Sequence, residues 1–397
     1  MAELLGLEEA LERVLEHARP LAAETVPLAQ AAGRILAADS VAAADLPPFA
    51  SSAMDGYALR ASDTPGALPV AFRVAAGTPA TEVLPARAAA AIATGGVVPE
   101  GADAVVPSER AGETNGRVEI PDAASPGAHI RPRGGDVRAG EVVVEAARRL
   151  GAVQIGALAA AGIARVQCAV RPSVAVLATG TELRAPGEDL GPGQIYESNR
   201  VLIAAVLETA GAVVEQLPVV PDEPDAHERA IARGLEANVL VTSGGVSVGP
   251  HDLVRRTAEE LGVEEIFWGV AVKPGKPVSF GVRGETLVFG LPGNPVSSLV
   301  GALLFVRPAL LALQGLADPR PQLEIGRTSV SLRRASARDE FLRARRRFED
   351  DGVVLEPVPG QESHMIVRAA LADALVHVPR GSGEIPAGAP VRYLALT

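Results

Sequence analysis

From residue 171 to about 315 the chain alternates short apolar runs with helical segments, and that alternation admits few folds. SVAVLATG, AVVEQLPVV, NVLVTSGG and ETLVFGLPGNP are runs of strand length, and three of the four lead into glycine. Between and after them, NRVLIAAVLETAG, DAHERAIARGLEA and LVRRTAEELG have helical period, and PVSSLVGALLFVRPALLALQG reads as a long apolar helix. Strands covered by helices on both faces predict a doubly wound α/β domain.

The flanking segments read differently. Leu7, Ala10, Leu11, Val14 and Leu15 lie at helical spacing and predict a helix over 6–19. A second helical piece is expected from Pro27 to Ala38, and Pro47 and Pro48 break the pattern. From about 45 to 145, alternations such as PVAFRVAAG, GADAVVPSER and AGEVVVEAA are separated by Gly and Pro turns, which predicts a small β-rich domain. LGAVQIGALAAAG reads as a helix returning to the first segment. The last 75 or so residues are β-rich again and predict a small barrel.

Composition excludes several functions. A net charge of -11, 3% aromatic residues and no basic stripe argue against nucleic-acid binding. The opening MAELLGLEEALERVLEH has no signal-peptide core, and the longest apolar runs are expected to fall short of a membrane span. A cytoplasmic enzyme is expected. The single cysteine, Cys168, excludes an internal disulfide and a thiolate metal cluster, and reads as a packed thiol. The six histidines show no metal-ligand spacing.

Three loops of the α/β segment are rich in glycine where a strand ends: ATGTEL, TSGGVSVGPHD and GLPGNPVSS. Glycine lets backbone N–H groups converge on an anion. Beside them in the sequence stands VKPGKPVSF. Of 37 basic residues, Lys273 and Lys276 are the two lysines, and the other 35 are arginine. Lysine is a compact point cation and arginine a wide planar fork, so this pair suits a small oxyanion in a narrow space; the alternative is two solvated loop lysines. No loop is a Walker A or G-x-G-x-x-G sequence. Glu182, Asp222 and Asp252 are the nearby acids, and Mg²⁺ with phosphate commonly uses such carboxylates. Asp252 reads equally as a helix N-cap, and Asp222 as a turn or cap residue. PPFASSAMDGYALR, IATGGVVPEGADAVV and RPRGGDVRAGE each set an acid beside glycine and by composition read as turns.

Taken together, SSAMDGYAL, ATGGVVPEGADAVVPSE, RPRGGDVRAGE, TGTEL, GQIYESNR, TSGGVSVGPHD, VKPGKPVSFG and GLPGNPVSS resemble, in order, the signature blocks of the molybdopterin molybdenumtransferase (MoeA) family, which is similar to the E domain of gephyrin. The resemblance implies a four-part chain. An elongated N-terminal helical domain would comprise 1–44 and 141–170, with a β-rich domain inserted at 45–140. A MogA-like α/β molybdopterin-binding domain at 171–316 and a C-terminal β-barrel at 317–397 would follow.

The resemblance also implies a molybdenum insertase. Such an enzyme places molybdate into adenylylated molybdopterin with Mg²⁺-dependent release of AMP. It works as a homodimer with a shared cleft, alongside a MogA-type adenylyltransferase and molybdoenzyme delivery partners, and without nucleic acid or membrane. By similarity, Lys273 and Lys276 hold molybdate and phosphate groups, helped by Arg343 and Ser363. Pro292, Pro295 and Ser297, with Gly244, Gly245 and Ser247 of the second loop, frame the pterin and its phosphate. Asp222 and Asp252 form the Mg²⁺ side, and Glu182 matches the acid of the family's TGDEL, with Thr181 standing where aspartate is common. Asp55, Thr94 and Asp136 would close the cleft from the other subunit. Competing readings are a nucleotidyltransferase that makes adenylylated molybdopterin, a non-catalytic scaffold, and a sugar- or nucleotide-phosphate binding protein.

Overall fold

The computed structural model describes residues 4–221, 223–245 and 253–396. The chain forms two compact units, one of residues 25–32 and 38–168, the other of residues 1–24, 33–37 and 169–397.

The first unit is built on a six-stranded sheet. Its order is Ala104–Pro107, Gly56–Leu59, Ala89–Ile92, Gly66–Val74, Arg117–Ile120 and Gly112–Thr114. Neighbours are antiparallel except Gly66–Val74 and Ala89–Ile92, which run parallel. Side chains alternate across the sheet, so Tyr57 and Leu59 join Leu68, Val118 and Ile120 in one core, while Ala58 joins Val74, Leu84 and Val105 in another. Gly56 is where the sheet is tightest. A Cβ there would stand 2.1 Å from the Val106 carbonyl oxygen and 2.9 Å from Pro107 Cα. The expected helix at Ala152–Ala160 is present. The helical piece expected from Pro27 to Ala38 is not: a strand at Ala23–Pro27 leads into one 3₁₀ turn, Leu28–Gln30. Thr25 and Val26 are β-branched and favour extended backbone. Gly33, at φ 77°, ends any helical path.

The second unit holds the predicted α/β sheet. Four parallel strands lie in the order Val213–Gln216, Ser173–Ala178, Val239–Ser243, Thr286–Leu291. Ser279–Arg283 and Glu264–Trp268 extend it antiparallel. Successive side chains of Ser173–Ala178 serve opposite cores. Val174 and Val176 pack with helices Asn199–Thr209 and Pro295–Leu313, and Ala175 and Leu177 with Pro224–Gly234 and Leu253–Glu260. The helix Leu7–His17 buries Ala10, Leu11 and Val14 in the first of these cores, and so belongs to this unit, whereas 141–168 belong to the other.

Helix Pro295–Leu313 corrects one expectation. With 19 residues and a mean hydropathy of 2.0 it is long and apolar enough to span a membrane by length and composition. Here 83% of its apolar stretch is buried, so its composition reflects its place at the centre of the core. Its middle turn, Ala302–Val306, opens to π-helical bonding just before Pro308, which has no N–H to offer the carbonyl four residues back.

The expected C-terminal barrel is present and closed. Asp339–Glu349, Gly352–Pro357, Glu324–Thr328, Pro390–Ala395 and Ala374–Val378 pair in that order, and the last pairs back to the first. Leu355, Val376, Val378, Val391 and Tyr393 fill its interior. Closure leaves these five strands without a free edge.

Gly56 gives a direct test. Gly56→Ala must push Val106 and Pro107 out of register, and a loss of about 3 kcal/mol or more is expected in thermal or denaturant unfolding. Gly112→Ala, on the exposed outer strand with open space around its Cα, is expected to stay within about 0.5 kcal/mol.

Candidate functional site

Chain order reverses around Ser173–Ala178. The sheet's next strand in chain order, Val213–Gln216, lies on one side of it, and the one after, Val239–Ser243, on the other. In an open parallel sheet a crevice opens at such a point, outside the carboxyl ends of the strands. A cavity of about 870 Å³ lies here, lined by the three glycine loops and by 195–199, His364 and Ile366.

The loops meet at Gly244. Its φ is 93°, and a Cβ would stand 3.0 Å from the Thr179 carbonyl oxygen. Gly293 packs beside it, since a Cβ on Gly293 would reach to 3.8 Å from Gly244 Cα. Gly244 N donates to Leu291 O at 3.1 Å, and Thr179 N to Ser243 O at 3.3 Å. Asn199 braces the junction. Its Nδ2 donates to Ser243 Oγ at 2.8 Å and to Gly293 O at 2.7 Å. The wall is polar but carries no lysine or arginine among the described residues. Glu197 on this wall is buried and accepts from Arg200 N and Nε at 2.8 and 3.0 Å, which offsets its charge. Glu182 is exposed and folds its carboxylate over Gly180. Tyr196, half exposed at the rim, is pinned by its hydroxyl to Glu188 O at 3.0 Å.

The cavity therefore gathers Glu182, Gly244, Gly245 and Pro295 of the predicted set. Lys273 and Lys276 do not line it. Their loop backs onto the same turn from another side, where a Cβ on Gly275 would stand 3.7 Å from Ser297 O. Pro292 and Ser297 are buried in that turn, and Pro292 O accepts from Ser243 and Ser298 hydroxyls. Ser363 is tied to the third glycine loop. Asn294 Nδ2 donates to its Oγ at 3.0 Å, and Val296 N to its carbonyl at 3.0 Å.

Arg343 is placed differently from the expected anion ligand. It is 1% exposed, and its guanidinium donates to the carbonyls of Met365, Gly360 and Glu362 at 3.0, 2.7 and 3.2 Å. Burial pushes its pKa down from the ordinary guanidinium value, with Glu362 opposing. Arg343 thus fixes the 360–365 loop that carries Ser363 and His364. Asp222, Ser247 and Asp252 lie outside the described residues. Among the described residues no group of three or more His, Cys, Asp or Glu side chains could hold a metal ion together.

In the first unit, Asp55 and Thr94 come together. Thr94 N donates to Asp55 Oδ1 at 2.7 Å. That backbone bond, with one from the Thr94 side chain, holds the Asp55 carboxyl below its ordinary value. Asp136 is exposed on a neighbouring loop, with its amide bonded to Leu46 O at 2.9 Å. Residue reading missed Asn199 and Asn294. The available signal was an asparagine at the start of the helix after each loop, in ESNR and PGNP.

Two outcomes follow from these contacts. Arg343→Met takes the guanidinium away from three carbonyls of the 360–365 loop, of which Glu362 O and Met365 O keep a backbone donor, so a loss of about 2 kcal/mol in unfolding and faster proteolysis within 360–366 are expected. Asp55 has a lowered folded pKa, so its bond to Thr94 is fully formed above the unfolded value of about 3.9 and is lost as pH falls through the lower folded value. An NMR titration of the Thr94 amide should show a midpoint below 3.8; a midpoint at or above it would contradict the geometry.

Comparison with known proteins agrees with this architecture. Residues 5–162 match the family described as "MoeA N-terminal region (domain I and II)". Residues 175–312 match "Probable molybdopterin binding domain", and 326–396 match "MoeA C-terminal region (domain IV)". The chain is 36% identical over 395 residues to the molybdopterin molybdenumtransferase of Haemophilus influenzae, covering 98% of each. It is 37% identical over 405 residues to molybdopterin molybdenumtransferase 2 of Mycobacterium tuberculosis, again covering 98% of each. The crystal structure of the molybdopterin biosynthesis MoeA protein of Pyrococcus horikoshii OT3 superposes with a TM-score of 0.86 at 28% identity, covering 99% of this chain and 100% of that one. With matching models along most of its length and close relatives end to end, the chain belongs to the MoeA family of molybdopterin molybdenumtransferases, transferases of molybdenum cofactor biosynthesis.

Proposed function

We propose that this protein inserts molybdate into adenylylated molybdopterin, with Mg²⁺-dependent release of AMP. One observation carries the reading. A cavity built from three glycine loops stands at the carboxyl ends of parallel strands, and the chain's two lysines sit on a separate loop against the same turn. The two parts suit the two substrates. The cavity, with exposed backbone, amides and Tyr196 at its rim, accepts the bulky organic substrate. The lysine loop accepts the tetrahedral oxyanion.

In this reading Asn199 and Asn294 hold the loops in register, and Arg343 keeps Ser363 and the 360–365 loop in place. Lys273 and Lys276 balance the charge of oxyanion and phosphate, and holding both reactants together supplies much of the rate. The sulfurs that take up the metal belong to the substrate, so the protein needs no cysteine ligand, in keeping with one buried cysteine. Glu182 offers a hard oxygen donor at the cavity, and Mg²⁺ asks for one or two carboxylates besides phosphate oxygens, so the donor set fits. When bound near Asp222 and Asp252, Mg²⁺ supplies charge neutralisation at the phosphoanhydride.

The working form in this reading is a cytoplasmic homodimer in which Asp55, Thr94 and Asp136 face the partner's cavity. A MogA-type adenylyltransferase supplies its substrate, and molybdoenzymes or their delivery partners receive its product. The chain divides into the four parts 1–44 with 141–170, 45–140, 171–316 and 317–397.

The test is AMP release from adenylylated molybdopterin in the presence of Mg²⁺, with and without molybdate. Molybdate-stimulated release is expected from the wild type, falling about 100-fold in Lys276→Arg, where a wide fork replaces a point charge. Release that ignores molybdate would point to a nucleotide hydrolase, and AMP-forming consumption of ATP to an adenylyltransferase.

A further inference from the structure

The two lysines have different surroundings. Lys273 Nζ lies 3.1 Å from Glu340 Oε1, and Glu340 is largely buried, with a side-chain exposure of 13% against 55% for the lysine. Backbone geometry builds the pair. Val272–Lys273 runs parallel to the start of the barrel strand Asp339–Glu349, with Lys273 opposite Glu340. Asp339 N donates to Ala271 O at 2.9 Å and locks the register. Asp339 itself is occupied, for its Oδ1 lies 2.9 Å from His377 Nε2 and 3.3 Å from Arg380 N. Glu340 is therefore the acid presented to the lysine loop. Lys276, three residues further on, forms no ion pair among the described residues. Two ammonium groups and one carboxylate leave the loop with a net charge of +1, carried at Lys276.

We propose that Glu340 is a positioning and specificity-determining residue that holds Lys273 and offsets its charge until the incoming oxyanion displaces it. This rests on the reading of the lysine loop as the oxyanion site. Lys276 makes the first contact. Lys273 joins only when the anion, with the rest of the site behind it, outcompetes the carboxylate. With its lysine half exposed to solvent, the pair adds little to stability, so its effect lies in anion affinity. Glu340 lowers the loop's attraction for any tetrahedral dianion, which keeps commoner ones such as sulfate from filling it.

The low lysine count makes the test direct. Reductive ¹³C-methylation labels Lys273, Lys276 and the terminal amine, keeps their charge, and is assigned with Lys273→Arg and Lys276→Arg. Wild type and Glu340→Gln are titrated with molybdate, then with sulfate, and the half-saturating molybdate for AMP release is measured in parallel. The Lys276 signal of the wild type should move at lower molybdate than the Lys273 signal. In Glu340→Gln both should move together, at concentrations about three- to tenfold lower, and sulfate should become an inhibitor. Glu340→Asp, which keeps the charge, should shift the response by less than half as much, and an unchanged melting temperature of each variant excludes misfolding. Unchanged or weaker molybdate binding in Glu340→Gln, with a responsive Lys276 signal, overturns this proposal alone. If neither lysine signal responds in the wild type, the oxyanion reading of the loop fails, and this proposal with it.

Discussion

Where the parallel strands end, backbone must touch backbone, and Gly244 is the place that permits it. The Thr179 carbonyl lies closer to it than a side chain would comfortably allow, and Gly293 packs beside it at ordinary contact distance. The approach brings the ends of Ser173–Ala178, Val239–Ser243 and Thr286–Leu291 together, and Asn199 can then bridge two of the loops with one amide. From that junction the third loop positions Asn294, Asn294 holds Ser363, and the turn after it supports the lysine loop. The site is thus a chain of short contacts that begins with a missing Cβ.

Charge is divided between two kinds of cation. Several arginines are used inside the structure as multiple donors to carbonyl oxygens. Arg34 donates to Ala169, Arg200 to Leu217, Arg334 to Pro379 and Arg380, and Arg343 to three carbonyls of one loop. A planar fork with five N–H groups suits that work, and an ammonium on a flexible stem does not. The lysines stay exposed at the surface of the site. A chain that assigns its structural clamps to arginine can keep lysine for a place where a compact cation must release one partner and take another.

Much of this was legible in the sequence because it is written in periodicity. The apolar runs of 171–315, buried on both faces, announced a parallel sheet, and the glycines at their ends announced the crevice. The barrel was visible as short β-rich runs, although its closure depends on a long-range pairing between Asp339–Glu349 and Ala374–Val378 that no local pattern encodes. The segment after Pro27 was misread because its apolar spacing is compatible with a helix, whereas β-branching and Gly33 decide against one. The lysines were singled out by composition, but the acid that faces Lys273 is 67 residues away in the chain and could not be read. Arg343 was read as a ligand because its charge is visible in the sequence and the three carbonyls that surround it are not.

The barrel strand Asp339–Glu349 has two attachments. Its body closes the barrel, and its first two residues pair with Val272–Lys273, the lysine strand, which lies in the α/β segment of the chain but joins the barrel's sheet. A graft of the barrel from one relative to another would therefore carry half of the lysine loop's frame with it. The C-terminal region looks like a separable module by its closed pairing, yet one of its strands also frames the lysine loop, so changes in one must be matched by changes in the other.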